Sequence, residues 1–323
     1  MARIFLTGGS GFIGAEIVRL ATAQGHSVQN LDRVPPPHAP QMPLWVRGDV
    51  RDGARLGEMI ADFAPDIVIH LASDTDVQRT RIEQFTTTIA GTRAVLAAVA
   101  GAPGVRRFVH ISTQFVVRPG VTPRDEAHFE PYTVYGEAKA QTERLVRQAD
   151  LACDWLIVRP TIIWGPGHAA FAANIFKYIA ARAYLHPVAS RPILRAFGYV
   201  TNTATQILTL ALLPARSGPQ RVFYAGDATI DYDRWVDAFS LALTGKAARR
   251  IPLWLLHGLG ALGDWGKAIG LPVPIDRGRA FRMTTSSAID LSATLAITGT
   301  PEIGFDRAID ATVAWLKAYR DSR

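Results

Sequence analysis

The sequence predicts an α/β protein: a doubly wound parallel sheet with a smaller, mostly helical lobe on the C-terminal side of its strands. Three observations carry this. Short apolar runs alternate with amphipathic helical stretches through the first half, and runs such as Ile4-Phe-Leu6 and Leu156-Ile-Val158 are apolar throughout, as in strands covered on both faces. A glycine-rich turn separates the first run from the first helix, with glycines at Gly8, Gly11 and Gly14. Beyond about residue 165 the rhythm breaks into glycine, proline and helical stretches with few strands.

In chain order, Ile4 to Leu6 form the first strand, and Phe12, Ile13, Ile17, Val18 and Leu20 recur at helical spacing after it. Gly8 permits the sharp turn, Gly11 the approach of a pyrophosphate, and Gly14 close packing of helix on strand. The helix N-terminus offers open N–H groups to phosphate. The spacing G-x-x-G-x-x-G differs from the common dinucleotide fingerprint and gains its meaning from context. That context includes Asp32, which ends the second strand, Val28-Gln-Asn-Leu-Asp32. A carboxylate there accepts from both adenosine ribose hydroxyls and repels a 2′-phosphate, so NAD is expected over NADP. Arg33, beside it on the cofactor side, softens that exclusion.

A proline-rich loop, Val34 to Pro40, leads to a third strand at Leu44-Trp-Val46, followed by Gly48-Asp49-Val50. Asp49 reads equally as an acceptor for the adenine amino group and as the N-cap of a helix near Gly53 to Phe63. The next strand, Asp66 to Ser73, ends in small residues, which suit a cofactor lying against backbone; His70 within it reads as a packed residue. A helix at about 82–100, a strand at Arg107 to Thr113, a helix at 134–149 and a strand at Leu156 to Pro160 complete the pattern. Residues 1–165 form the expected dinucleotide domain, with parts of 195–225 returning to it. Residues 166–323 form the substrate lobe. Its tail, 307–319, is an amphipathic helix with Ala308, Ile309, Val313 and Leu316 on one face.

The composition, 48% hydrophobic and 20% charged, is that of a globular protein. The single cysteine, Cys153, excludes an internal disulfide and a cysteine-rich metal site; no metal is expected. A first strand starting at residue 3 leaves no room for a leader, and a cytoplasmic location is expected. No apolar run reaches the ~18 residues of a membrane span. The most apolar late stretch, Leu253 to Leu271, is broken by His257, Asp264 and Lys267. The net charge of +7 is scattered, with no basic run of five. It favours anionic ligands such as diphosphates over nucleic acid.

The chemistry lies in Tyr135-Gly-Glu-Ala-Lys139, whose i, i+4 spacing puts the phenol and the amine on one helix face. A tyrosine base needs its pKa of ~10 lowered by ~3 units, about 4 kcal/mol, which two nearby cations can supply. Tyr135 would then move a proton on a substrate hydroxyl while hydride passes to or from a nicotinamide. A hydroxyl at the end of the preceding strand, Ser112 or Thr113, would steady the reacting oxygen. Ser112 reads equally as a strand-end turn residue.

Together these residues resemble the extended short-chain dehydrogenase/reductases, in particular the NAD-dependent epimerase/dehydratase branch acting on nucleotide sugars. The resemblance rests on Thr7 to Gly14, Asp32, Gly48 to Val50, His70 to Ser73, Ile111-Ser-Thr113, Tyr135 with Lys139, and Arg159-Pro-Thr-Ile-Ile-Trp-Gly-Pro-Gly167. It implies a Rossmann-type fold in which Gly8, Gly11, Phe12, Ile13 and Gly14 line the pyrophosphate. Asp32 takes the ribose, and Asp49 with Val50 the adenine. Leu71, Ala72, Ser73 and Ile111 run along the cofactor, and Pro160 and Ile162 lie beside the nicotinamide. Thr113 is the implied catalytic hydroxyl and Tyr135 the acid/base. Lys139 binds the nicotinamide ribose and lowers the tyrosine pKa. For the substrate, Asn174, Arg195 and, more weakly, Arg279 match residues that contact a nucleotide-diphosphate sugar. The family's pairing of its two equivalent helices implies a homodimer through 82–100 and 134–149.

The departures bear on substrate. Phe115-Val-Val-Arg118 replaces the usual Val-Tyr-Gly, Thr88 stands where an asparagine is usual, and Val200-Thr-Asn202 replaces Val-Asp-Asp. Gln114-Phe115 stands where dehydratases carry an acidic pair, which favours epimerisation over dehydration. Tyr199-Val-Thr-Asn202 and Ile251-Pro-Leu-Trp-Leu-Leu256 look like the 3β-hydroxysteroid and lipophilic-alcohol dehydrogenases. Three readings therefore stand: a sugar-nucleotide epimerase or close oxidoreductase, a lipophilic-alcohol dehydrogenase, and a non-catalytic NAD-binding sensor. The presence of both Tyr135 and Lys139 disfavours the last.

Overall fold

The computed structural model describes residues 1–214, 220–271, 273 and 275–321. Strands β1 (Arg3–Thr7), β2 (Ser27–Asp32), β3 (Trp45–Arg47), β4 (Ile67–His70), β5 (Arg107–Ile111) and β6 (Asp154–Pro160) alternate with helices α1 (Phe12–Ala23), α2 (Gly53–Phe63), α3 (Thr86–Ala100) and α4 (Val134–Gln148). Then come β7 (Ile162–Trp164), α5 (Ala169–Phe171), a π turn at Ala172–Phe176, α6 (Lys177–Ala180), β8 (Leu185–Val188) and β9 (Leu194–Tyr199). They are followed by α7 (Val200–Leu212), β10 (Val222–Ala225), β11 (Ala228–Asp231), α8 (Tyr232–Thr244) and β12 (Arg249–Pro252). Four helices end the chain: α9 (Leu253–Ala268), α10 (Arg277–Thr284), α11 (Ser292–Thr298) and α12 (Phe305–Asp321).

Seven strands make one parallel sheet in the order β3-β2-β1-β4-β5-β6-β10. The order reverses direction at β1 and β4, and a ligand crevice opens outside the carboxyl ends at such a reversal. The continuous apolar strands follow from the layers on both faces. In β1, Ile4 and Leu6 point into the layer made by α1 and α7, whereas Phe5 points into the layer of α2, α3 and α4. His70, within β4, is buried between Thr7 and Thr92, with Nδ1 2.7 Å and Nε2 3.0 Å from their hydroxyls. Burial lowers its pKa to about 3, so it is a neutral packed residue.

A second core fills the lobe. Trp164, Phe197, Trp235 and Phe239 pack on α12 through Ala308, Ile309, Val313 and Leu316, the face expected of the tail helix. The rings of Phe197 and Trp235 stack 5.0 Å apart. Strands β7, β9 and β11 form a separate three-stranded sheet beneath this core.

Local chemistry explains where the expected elements shift. The expected loop at 34–40 runs into a 3₁₀ turn at Ala39–Leu44, so the strand starts at Trp45. Helix α2 is capped by Asp52, which accepts from Arg55 N at 3.1 Å, and not by Asp49. The expected helix at 82–100 begins as a 3₁₀ turn, Ile82–Phe85, that buries Phe85 completely. Of 195–225, expected in part to return to the first domain, β9 lies in the small sheet, while β10 pairs with β6 and α7 covers the main sheet. Helix α11 returns as well, placing Ala293 and Ile297 on the same core.

Candidate active site

A cavity of about 640 Å³ opens over the sheet reversal. Its walls include Gly8, Gly11, Phe12, Ile13, Gly14, Asp32, Arg33, Val50, Leu71, Ala72, Ser73, Ile111, Thr113, Tyr135, Lys139, Pro160 and Ile162. These come from the ends of several strands and the starts of α1 and α4, so residues far apart in sequence meet at one place.

At one end sits the glycine turn. Gly8 has φ +79°, and a Cβ there would come within 2.6 Å of Ala72 N. A Cβ on Gly14 would meet Gly8 O at 2.3 Å, so Gly14 lets the helix close on its own preceding turn, while Gly8 lies against Leu71 and Ala72 just past the end of β4. Helix α1 takes Gly11 as its N-cap, which brings no side chain to its first-turn N–H groups. Those donors face the cavity and suit a pyrophosphate. The Asp32 carboxylate is fixed at the wall by Ser10 N (3.0 Å) and Val34 N (3.2 Å). Gly14→Ala is expected to abolish the thermal shift given by NAD, because the new methyl displaces the turn that the phosphate needs.

At the other end, Thr133 caps α4 by accepting from Gly136 N at 3.0 Å. A Cβ on Gly136 would lie 2.2 Å from Phe115 O, so the helix start presses against the loop after β5. This contact brings the Tyr135 phenol within hydrogen-bond reach of the Thr113 hydroxyl. Lys139, one turn on, is buried and donates to Ile111 O at 2.6 Å. Burial pushes the Tyr135 pKa up to about 12, with the Thr113 hydrogen bond opposing. It lowers Lys139 to about 8, with Glu143 opposing. In the protein by itself desolvation wins and Tyr135 stays protonated, so the expected lowering of the phenol pKa by two cations needs the cofactor's charge beside Lys139.

Ser112 has a different task. Its hydroxyl donates to Glu143 Oε1, and Glu143 is also paired with Arg159 at 2.8 Å, both side chains fully buried. Arg159 continues to Tyr224 OH and Glu126 O. This network ties α4 to β6 behind the reacting cluster. Thr88, at the usual asparagine position, holds the Ser73 loop: Asp74 N donates to its hydroxyl at 2.8 Å, and Ser73 Oγ lies 3.0 Å from it.

Other expected residues lie elsewhere. Asp49 is outside the cavity wall, with its carboxylate gripped by Arg51 and its pKa lowered to about 2 by that pair. Asn174 is exposed on the π turn and donates to Ala170 O. Arg195 is buried on β9, its guanidinium 3.8 Å above the Tyr232 ring, outside this cavity. Its Nε and Nη2 have no hydrogen-bond partner among the described residues. Arg279 lies on α10, and of that helix's arginines it is Arg282 that reaches the cavity. The sequence reading missed Arg282, Tyr132, Phe171 and His168. His168 follows the Arg159-to-Gly167 motif directly, stacks 4.1 Å from Phe171, and is lowered to about 4 by burial. Among the described residues no group of three metal-ligating side chains occurs.

The model of the NAD dependent epimerase/dehydratase family matches residues 4–226. The chain belongs to this family. Its cofactor is NAD, and the glycine turn, the open helix end and the fixed Asp32 fit that dinucleotide. Among curated relatives, a 3-beta-hydroxysteroid dehydrogenase of Mycolicibacterium neoaurum is 29% identical over 247 residues, covering 70% of this chain and 66% of the relative. The match thus spans just under two thirds of that protein. An N-acetyl-alpha-D-glucosaminyl-diphospho-ditrans,octacis-undecaprenol 4-epimerase of Escherichia coli O157:H7 is 28% identical over 270 residues, covering 81% of this chain and 78% of the relative. The structure of Thermus thermophilus UDP-glucose 4-epimerase with NAD superposes with a TM-score of 0.71 over 98% of this chain and 99% of that one, at 22% identity, and so supports the Rossmann-type fold.

Proposed function

We propose that this family member is an NAD-dependent epimerase, or a close oxidoreductase, acting at an alcohol carbon of a diphosphate-linked sugar such as a nucleotide sugar. The observation that carries this is the Thr113–Tyr135–Lys139 cluster facing the same cavity as the glycine turn and Asp32. When bound, NAD supplies a hydride acceptor at its nicotinamide ring. Tyr135 takes the proton from the substrate hydroxyl, Thr113 holds the oxygen, and Lys139 brings a positive charge that favours the phenolate. The cavity-facing Arg282 suits a diphosphate. A relative named for a sugar on a lipid diphosphate supports the same chemistry.

The test is thermal unfolding with NAD present, across UDP-, GDP-, dTDP- and CDP-sugars. A ligand at ~100 times Kd adds about 2.7 kcal/mol of stability. A shift with one nucleotide family supports the reading; none with any, beside a shift with NAD alone, removes the nucleotide.

The second reading, a lipophilic-alcohol dehydrogenase, is favoured by the aromatic wall of Phe115, Tyr132 and Phe171, by the exposed Asn174, and by the relative named for 3β-hydroxysteroids. NADH release with an apolar alcohol would support it.

Asp32→Ser is expected to raise the affinity for NADP relative to NAD, measured by titration with both, since the carboxylate that repels a 2′-phosphate is removed. We also infer a cytoplasmic homodimer. The outward face of α3 carries Ala90, Ala97 and Ala100, which permit close approach, together with Thr86 and the larger Arg93. Light scattering should give twice the 35.1 kDa chain mass; the monomer mass at every concentration would count against it.

A further inference from the structure

Helix α9 leaves a large apolar stripe uncovered. Trp254 is 74% exposed, Leu262 67%, Trp265 68%, and Ile269, just past the helix, 56%. At about 100° per residue these four fall within an arc of about 80° on one face. The opposite face is fixed: Leu256 is fully buried, and Gly260 and Gly263 lie against the backbone of Ile275 to Arg277, where α10 begins. The stripe is therefore held outward by its own packing. Of the seven tryptophans only Trp254 and Trp265 are exposed.

The segment that carries the stripe is basic in sequence. Residues 245–285 hold seven lysines and arginines against two aspartates, a net charge of +5 in a chain whose total is +7. Lys246 and Arg249 are exposed, as are Lys267 and Arg277, which pair with Asp276 and Asp264. Among the described residues no helix is long and apolar enough to cross a membrane. Exposed tryptophan and leucine on one helix face, in basic surroundings, match a helix that lies in the plane of an anionic bilayer surface.

We propose that the α9 face docks on anionic phospholipid membrane, with Trp254, Leu262, Trp265 and Ile269 entering the headgroup boundary. The helix adjoins the cavity through α10: the Phe281 ring lies 6.4 Å from Tyr132, and both Tyr132 and Arg282 line the cavity. Docking therefore brings the cavity entrance near the bilayer surface, where an amphiphilic substrate would reach it. That consequence rests on the reaction proposed above; the docking does not.

The test is flotation of the full-length protein with vesicles of phosphatidylcholine alone or mixed with phosphatidylglycerol, without substrate. Binding to the anionic vesicles, weakened by high salt and accompanied by a blue shift of tryptophan emission, is expected. The double variant W254Q/W265Q should lose about tenfold or more in partitioning, and K246Q/R249Q/R277Q should lose the preference for anionic lipid. A retained NAD thermal shift shows that each variant is folded. No binding to anionic vesicles, or equal binding by W254Q/W265Q, overturns the proposal. So does a fall in the oligomeric mass of W254Q/W265Q, which would make the face a contact between copies of the chain.

Discussion

Tyr135→Phe is expected to lower kcat by about 10²–10⁴-fold while leaving the NAD-induced thermal shift in place. The phenol sits within hydrogen-bond reach of Thr113 at the cavity wall, and removing its oxygen removes the proton acceptor without disturbing the ring packing against Phe85 and Phe115. The pH dependence has a definite sign. Oxidation needs the deprotonated phenol, whose pKa burial pushes up to about 12, so the rate should rise with pH. Lys139, lowered to about 8 by burial, loses its charge above that pH and with it the support for phenolate. The oxidation rate should therefore climb toward pH 8 and flatten beyond it. Lys139→Met should shift the climb to higher pH and lower the rate throughout. A pH-independent rate, or a Tyr135→Phe variant with full activity, would assign the proton to another group.

The second large effect is on stability. Glu143→Ala is expected to cost about 3–5 kcal/mol, because it leaves the Arg159 guanidinium charged and fully buried without its carboxylate. It also removes the acceptor of Ser112. Glu143→Gln keeps an acceptor for Ser112 and should cost less. Pairing Glu143→Leu with Arg159→Met, which removes both charges, should recover much of the loss. Unfolding midpoints of the parent and the three variants decide this. A loss below about 1 kcal/mol in Glu143→Ala would mean that water reaches Arg159.

The main sheet and the cofactor end of the site were legible because their causes are local. A glycine at φ +79°, a strand that must be apolar on both faces and a carboxylate at a strand end each leave a mark within a few residues. The Tyr135–Lys139 pair was legible for the same reason, since helical spacing fixes it. What escaped depends on contacts between distant segments. Nothing near Arg195 signals that Tyr232 lies under its guanidinium, and nothing near Arg282 signals that α10 folds back to the cavity. The Tyr135 pKa escaped because burial is set by the whole cavity wall. Asp49 misled because Asp52, three residues later, takes the cap. Asn202, at the position of a usual aspartate, is a cross-link: it donates to Ile303 O and accepts from Ile303 N, tying α7 to the segment before α12.

After β6 the chain enters the lobe, returns for α7 and β10, leaves again for β11 through α10, comes back for α11, and ends in the lobe with α12. The two cores are thus stitched together by repeated crossings, and neither can be cut out with a single incision. A fragment ending at Gly226, where the family match stops, would keep every strand of the main sheet yet lose Ala293 and Ile297 from its cover. Grafting a lobe from a relative to change specificity would require several separate splices. Any opening of the cleft must bend several connections at once, which favours small concerted movements over a free swing about one hinge.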